Sequence, residues 1–283
     1  MLETLEVVLN VAIAVFIAGA LFTAGLEVTF EQVLQPLRDL SNVGRALLAN
    51  VVLTPLLVHA LTIVYPLERP YLIGLLLYGF ASGAPYTPRL VGMARGDVSN
   101  SIGLTMLLTV LTIVYMPLIL PVLIPGTQIG VWEIAKPLVL QMFVPLLIGL
   151  GVRQSSAMLA SKLRGPANVT VNASAALFLF LALALHHREL AATVGTGAVT
   201  AAAVLTLLSF ALGFALGRRG ERDRVTLGLI TTARNIGAAA TIATANFGDD
   251  RRVLITVAVC MFVVFALAFP AAKLYFRKRL SGR

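Results

Sequence analysis

The sequence predicts an all-α polytopic membrane protein of nine transmembrane helices, two of them broken, built as an inverted repeat. Three observations carry this. Of the 283 residues, 58% are hydrophobic and only 12% charged, against about 45–50% and about 25% in soluble domains, so an ordinary soluble core cannot absorb the apolar surface. The apolar residues gather in nine runs long enough, or nearly so, to cross a bilayer. The third and eighth runs are irregular, each interrupted near its middle. A formal charge of +9 could point to nucleic acid, yet the 22 Lys and Arg residues lie scattered in short stretches between runs, as topology signals do. No nucleic-acid partner is expected.

Taken in order, the first run, Leu5–Leu26, opens with Glu3 and Glu6 and has neither a basic leader nor a small-residue cleavage site; it is expected to be a helix of the mature fold, not a signal peptide. Thr29 to Leu40 alternates apolar and charged residues, the pattern of a segment lying in the membrane interface. Gly44–Tyr65 is the second span. The third, Tyr71–Ala94, contains Ser82-Gly83-Ala84-Pro85-Tyr86-Thr87-Pro88; two prolines and a glycine so close together cannot continue one helix, and two half-helices follow. Val98–Ile124, Ile134–Val152 and Pro166–His186 are the next three spans. Gly195–Gly217 carries Gly213 and Gly217 at small-xxx-small spacing, which suits close packing in the core more than a dimer face; oligomeric state is left open. Val225–Phe247 is broken by Thr231-Thr232-Ala233-Arg234-Asn235-Ile236-Gly237, and Val253–Phe276 is the ninth span. Trp132, Tyr65 and Tyr71 sit at span edges, as belt aromatics do.

Breaks at matching places five helices apart imply two units, roughly residues 5–124 and 166–276, of opposite direction. Counting Lys and Arg between spans sets the orientation. Fifteen fall on one side: Arg38, Arg45, Arg95, Arg153, Lys162, Arg164, Arg218, Arg219, Arg222, Arg224, Lys273, Arg277, Lys278, Arg279 and Arg283. Five fall on the other: Arg69, Lys136, Arg188, Arg251 and Arg252. The expected topology is N-terminus outside and C-terminus cytoplasmic, in the cell inner membrane. The remaining two, Arg89 and Arg234, lie inside spans.

A guanidinium near the bilayer centre costs at least about 2.5–3.5 kcal/mol on insertion scales, so it snorkels to an interface or marks a site. Arg89 lies close to the membrane edge and both readings stand; Arg234, flanked on either side by apolar and small residues, is the stronger site residue. Thr87 is expected to cap the second half of the third span with Pro88 as its first helical residue, and Asn235 to cap the second half of the eighth. Two helix N-termini would then meet at mid-membrane beside Arg234, a place that attracts an organic anion such as a carboxylate. All 13 acidic residues lie at or near span ends, which argues against an intramembrane proton relay or a cation site built on a formal charge. His59 is expected to make a helix–helix hydrogen bond. The lone cysteine, Cys260, is expected to be a buried hydrophobe, so neither a disulfide nor a thiol-based metal site arises. No metal-ligand cluster or paired nucleophile and base appears in the spans, so an enzyme is not expected and no cofactor is called for. A membrane-embedded sensor is the competing class; within this sequence no polar segment is long enough to be the signalling domain it would control.

The first break, continued by Leu90-Val91-Gly92-Met93-Ala94-Arg95-Gly96-Asp97-Val98 and Ser101-Ile102-Gly103-Leu104-Thr105, resembles the bile acid:sodium symporter family, where Pro-Gly-Gly-x-x-Ser-Asn leads into Ala-Lys-Gly-Asp-Val and Ser-x-x-x-Thr. Gly25-Leu26-Glu27, Arg234-Asn235-Ile236-Gly237 and Asn246-Phe247 extend the resemblance over nearly the whole chain. It implies a core domain with two crossed broken helices, a panel domain beside it, and alternating access for organic anions. The family's ten-helix bacterial members carry one further N-terminal helix. In sodium-coupled relatives the ions are held by the Ser-Asn of the first break, the Ser and Thr after it, a glutamine in the second span here, and a Glu and Gln of the second break. Here those positions read Thr87-Pro88, Ser101, Thr105, Asn50, Ile230 and Arg234. The carboxylate is gone and an arginine stands where a sodium ligand stood, a change of two charge units worth several kcal/mol against any cation at an effective dielectric of ~20 and ~4 Å. Sodium-independent transport of an organic anion, with Arg234 as anchor and built-in cation, is the expected function; a sodium symporter with a relocated ion site is the alternative. The site set is Arg234, Asn235, Thr87, Pro88, Arg89, Ser101, Thr105 and Asn50. Phe16, Thr23 and Asn172 are candidates for the panel side, unassignable from sequence.

Overall fold

The computed structural model describes residues 2–124, 129–217 and 220–281; Arg218, Arg219 and Arg283, used in the charge count, lie outside the described residues. Every described regular element is a helix. α1 (Leu2–Glu27) leads to the short α2 (Phe30–Leu34), closed at its start by a reciprocal Thr29–Gln32 capping box, and a 3₁₀ turn, Gln35–Arg38. α3 (Leu40–Leu47) and α4 (Thr54–Val64) form one rod through a π turn at Leu48–Leu53. α8 (Val131–Leu138) and α9 (Val144–Ser155) are joined in the same way through Val139–Phe143. Both π turns end two residues before a proline, Pro55 or Pro145, whose missing N–H and ring would otherwise interrupt the ladder. α5 (Arg69–Phe80) and α6 (Thr87–Met93) flank the first break, and α7 (Val98–Leu123) follows, started by the Asp97 side chain accepting from the Asn100 amide. α10 (Ala157–Thr193) and α11 (Ala198–Leu216) precede α12 (Glu221–Thr232) and α13 (Ile236–Asn246), which flank the second break; α14 (Arg251–Ser281) closes the described chain.

Among the described residues seven helical stretches are long and apolar enough to cross a membrane: Thr4–Glu27, Leu40–Val64, Val98–Leu123, Val131–Ser155, Ala157–Thr196, Ala198–Leu216 and Arg251–Lys273. The third and eighth apolar runs do not join them because each is split. Their longest pieces, α5 and α12, have 12 residues, about 18 Å at 1.5 Å per residue, against a hydrocarbon core of about 30 Å. α1, α9 and α10 pack on one another, while α5, α11, α12 and α14 form a second group with α13 between α5, α8 and α14. On α1 the four-residue series Leu9, Ile13, Ile17 and Leu21 is buried, and Val7, Val11 and Val15 on the opposite face are exposed. Gly213 faces α12 so closely that a Cβ there would lie 2.5 Å from the Leu227 carbonyl, and one at Gly217 would lie 2.4 Å from the Cα of Arg224; the small-xxx-small spacing serves packing inside the molecule.

Several local expectations need correction. α10 begins at Ala157, nine residues before Pro166, and carries that proline within it, so Lys162 and Arg164 lie on a helix instead of a loop. Helical geometry is interrupted at His186 (φ −121°, ψ 23°), the residue at which the sixth run ends. Tyr71 is buried, with the Arg252 guanidinium 6.0 Å from its ring centroid, and does not face lipid; Trp132 does stand exposed. His59 is on an exposed face of α4 and makes no interhelical bond among those described. Arg252 also pairs with Glu68 at 3.0 Å and Asp250 at 2.8 Å, and its guanidinium holds the Asp250 carboxyl below the usual carboxylate range.

Candidate functional site

The two breaks meet. α5 ends at Phe80 and the chain runs extended through Ala81 (ψ 96°) to Gly83, whose φ of +79° is a left-handed conformation that glycine adopts freely. A Cβ at Gly83 would also lie 2.3 Å from the Thr109 amide nitrogen, so backbone must approach backbone here. α12 ends at Thr232 and the chain is again extended at Ala233 (ψ 112°). The Asn235 amide donates to the Ala81 carbonyl at 2.8 Å, and its side-chain Nδ2 donates to the Gly83 carbonyl at 3.1 Å. The Asn235 Oδ1 accepts from the Ala238 amide at 3.2 Å and caps α13. One asparagine therefore ties the two breaks together and starts the half-helix after the second.

The freed groups of the first break are satisfied from α7. Thr109 Oγ1 donates to the Gly83 carbonyl at 2.7 Å, and Thr112 Oγ1 accepts from the Ser82 amide at 3.1 Å and lies 2.9 Å from the Ser82 hydroxyl. Non-helical backbone at membrane depth needs such partners. Sequence reasoning did not single out Ser82, Thr109 or Thr112 as residues of the site. The signal was there, since Thr105, Thr109 and Thr112 recur at i, i+4 and i+7 on an otherwise apolar helix. Thr105 is fully buried and its Oγ1 has no partner among the described residues; Ser101 is buried and bonds the Val98 carbonyl at 2.7 Å.

Arg234 is 1% exposed. Its Nη1 donates to the Gly79 carbonyl at 3.3 Å, and its Nη2 to Asn50 Oδ1 at 3.2 Å and to the Thr231 carbonyl. Gly79 and Thr231 are in the last turns of α5 and α12, where unpaired carbonyls give each helix end roughly −0.5 of a unit charge. Two such ends together offset about one positive charge, and among the described residues no carboxylate is ion-paired with Arg234. Asn50, on the π turn ahead of Pro55, also donates to the Ala46 carbonyl at 3.0 Å and Thr231 Oγ1 at 3.3 Å. The guanidinium thus turns toward the negative ends of the half-helices, whereas the sequence reading set it beside their positive N-termini. Thr87 needs a one-residue correction: Tyr86 is the N-cap of α6, Thr87 and Pro88 are in its first turn, and the Thr87 hydroxyl donates to the Ala84 carbonyl at 2.7 Å instead of capping.

A cavity of about 660 Å³ lies between α1, α10 and the crossing. Of the residues singled out in the sequence, Pro88, Arg89, Asn235, Phe16, Thr23 and Asn172 line it, while Arg234, Thr87, Ser101, Thr105 and Asn50 do not. Arg164, Asn168 and Asn172, four residues apart on α10, present one polar ladder to the cavity, and Glu27 stands at its edge, 2.7 Å from Arg164 Nε. Glu27, Arg164 and Asn168 were missed as site residues, although the four-residue spacing of Arg164, Asn168 and Asn172 was visible.

Crossed helix breaks inside a shell of bilayer-length apolar helices, with a cavity against the crossing, define the class: a multi-pass membrane protein. The chain belongs to the sodium bile acid symporter family, whose model matches residues 13–192, and members of this family are transporters, not enzymes. The chain is also similar to a probable chloroplastic sodium/metabolite cotransporter of Arabidopsis thaliana, 21% identical over 258 residues that cover 89% of this chain and 59% of that protein. It therefore spans about three fifths of the length of that curated relative.

Proposed function

We propose that this chain is a secondary transporter that moves an organic anion across the membrane by alternating access and does not use sodium. One observation carries the proposal: the buried Arg234 guanidinium holds the carbonyl ends of both broken helices together with no carboxylate partner among the described residues. A resident cation there supplies the charge that an ion would supply and repels a second one. Anion binding passes from Arg234 to the cavity, where Arg89 and the Asn235-capped start of α13 attract negative charge beside the apolar Phe16, Ile17 and Met106.

In this reading α5–α6 and α12–α13 each count as one crossing, giving nine spans as inverted repeats over residues 5–124 and 166–276. α1, α9 and α10 form the panel and the remaining spans the core, with the cavity at their boundary. The N-terminus lies outside and the C-terminus in the cytoplasm of the inner membrane. The topology has a direct check, because Cys260 is buried and gives a silent background. A maleimide is expected to label Asp249→Cys from outside and Ser155→Cys only after permeabilisation. Labelling of both from one side would remove the nine-span arrangement.

Binding is tested by thermal shift of the purified chain in sodium or potassium salt with a panel of organic anions. Ligand at 100 times Kd adds about 2.7 kcal/mol to apparent stability. Equal stabilisation by the anion in both salts is expected. Stabilisation only when sodium is present would favour the second reading, a sodium-coupled symporter, which draws its support from the name of the Arabidopsis thaliana relative.

A further inference from the structure

The cavity brings together charged groups whose count carries a consequence for its substrate. Among the described residues that line it, the charged ones are Arg89, Arg164 and Glu27. Arg164 is committed, its Nε 2.7 Å from Glu27 Oε1. Arg89 is exposed toward the cavity and has no ion pair among the described residues. Glu27 is the last residue of α1, where the helix dipole disfavours a carboxylate and favours a cation. Helix formation therefore does not select a glutamate at this place, and the partner that offsets it is the guanidinium on α10. Arg164 also begins the Arg164–Asn168–Asn172 ladder, so a cation released from Glu27 would stand in line with two amides that already face the cavity.

Resting on the anion-transport reading above, we infer that Glu27 sets the valence of the substrate: it occupies Arg164 from within and leaves the cavity a single uncommitted guanidinium, so that monoanions are preferred to dianions. A dianion brings one carboxylate to Arg89 and a second into the field of Glu27, which repels it and competes for Arg164. A monoanion meets no such opposition. Removing the Glu27 charge while keeping its shape frees Arg164 as a second anion subsite.

The test uses two probes of equal chain length, octanoate and octanedioate, titrated calorimetrically into the purified full chain at about pH 7.5, where both carboxyls of the diacid are ionised. In Glu27→Gln the affinity for octanedioate is expected to rise about tenfold and that for octanoate less than about threefold, the scale of one partly screened charge contact. Arg164→Ala in the Glu27→Gln background is expected to return octanedioate to the wild-type affinity. An unchanged ratio of the two affinities in Glu27→Gln, or a gain that survives loss of Arg164, overturns the assignment and leaves the transport reading standing. No binding of either acid by the wild-type chain in sodium or in potassium overturns both. The unliganded variants are compared by thermal shift with wild type, and because the Glu27–Arg164 pair is solvent-exposed on both sides, their melting is expected to coincide with it.

Discussion

Arg234→Ala is expected to abolish anion transport and to lower apparent thermal stability by roughly 5–10 °C, the change that a few kcal/mol produces in a chain of this size. The truncation leaves the Gly79 and Thr231 carbonyls and Asn50 Oδ1 without their donor in a place closed to bulk water, and each such buried orphan costs about 1–3 kcal/mol. It also removes the positive charge that keeps two helix C-termini together, so the crossing should open even where the individual helices persist. Arg234→Lys separates the two effects. It keeps the charge but cannot span Gly79, Asn50 and Thr231 with one planar fork, and it should retain part of the stability with little transport. Normal uptake by Arg234→Ala together with unchanged melting would dispose of the built-in cation.

The second large effect is a gain of function. Arg234→Gln combined with Ile230→Glu removes the fixed cation and restores a carboxylate, a two-unit change worth several kcal/mol in favour of a cation at an effective dielectric of ~20. Ile230 is buried in a small apolar cluster with Val43, Ala46, Leu104 and Leu108, on the side of α12 that faces α3 and α7. Thr105 on α7 has a buried hydroxyl with no partner among the described residues, and Asn50 loses its guanidinium donor in the double variant. Sodium is expected to raise the melting temperature of this variant and to stimulate its anion uptake, with potassium inert. Ile230→Glu alone should instead pair with Arg234 and stay indifferent to sodium. Equal responses to both salts in the double variant would show that the position of Arg234 is unrelated to ion coupling.

The legibility of the site followed how local its causes are. The first break could be read directly, since Gly83, Pro85 and Pro88 within six residues cannot continue one helix; in the second the polar Thr231–Asn235 stretch marked the place, and of it only Ala233, Arg234 and Asn235 lie outside α12 and α13. Asn235 as a cap depends only on three residues of chain and is present. Thr87 was displaced by one position because Tyr86, helical itself at φ −81° and ψ −7°, starts α6 without a side-chain cap, and boundaries of this kind shift with small tertiary forces. Pro166 does not start the sixth span, because a proline within an exposed stretch of helix can be carried when neighbours and solvent take up the lost hydrogen bond.

Which face of each helix turned inward was not legible. In a soluble protein the apolar stripe names the buried face, but here lipid and protein accept the same residues, so Leu9 and Val7 of α1 look alike in sequence and differ only in the packed structure. The same ambiguity hides the α1 and α10 wall of the cavity: Phe16, Thr23 and Asn172 can be suspected from sequence but not assigned, and Arg164 reads as a loop residue.

The sequence by itself determined an all-helical membrane protein, the places where two of its spans break, and the presence of a guanidinium inside the second break, because composition, proline and glycine chemistry and the cost of a charge in hydrocarbon act through the chain locally. The tertiary structure alone decided where that guanidinium points. Arg234 could have faced the cavity at the N-termini of α6 and α13, yet the partial negative charges of two helix C-termini, brought together from residues 79 and 231, draw it to the other side of the crossing. That attraction exists only once the two breaks have met.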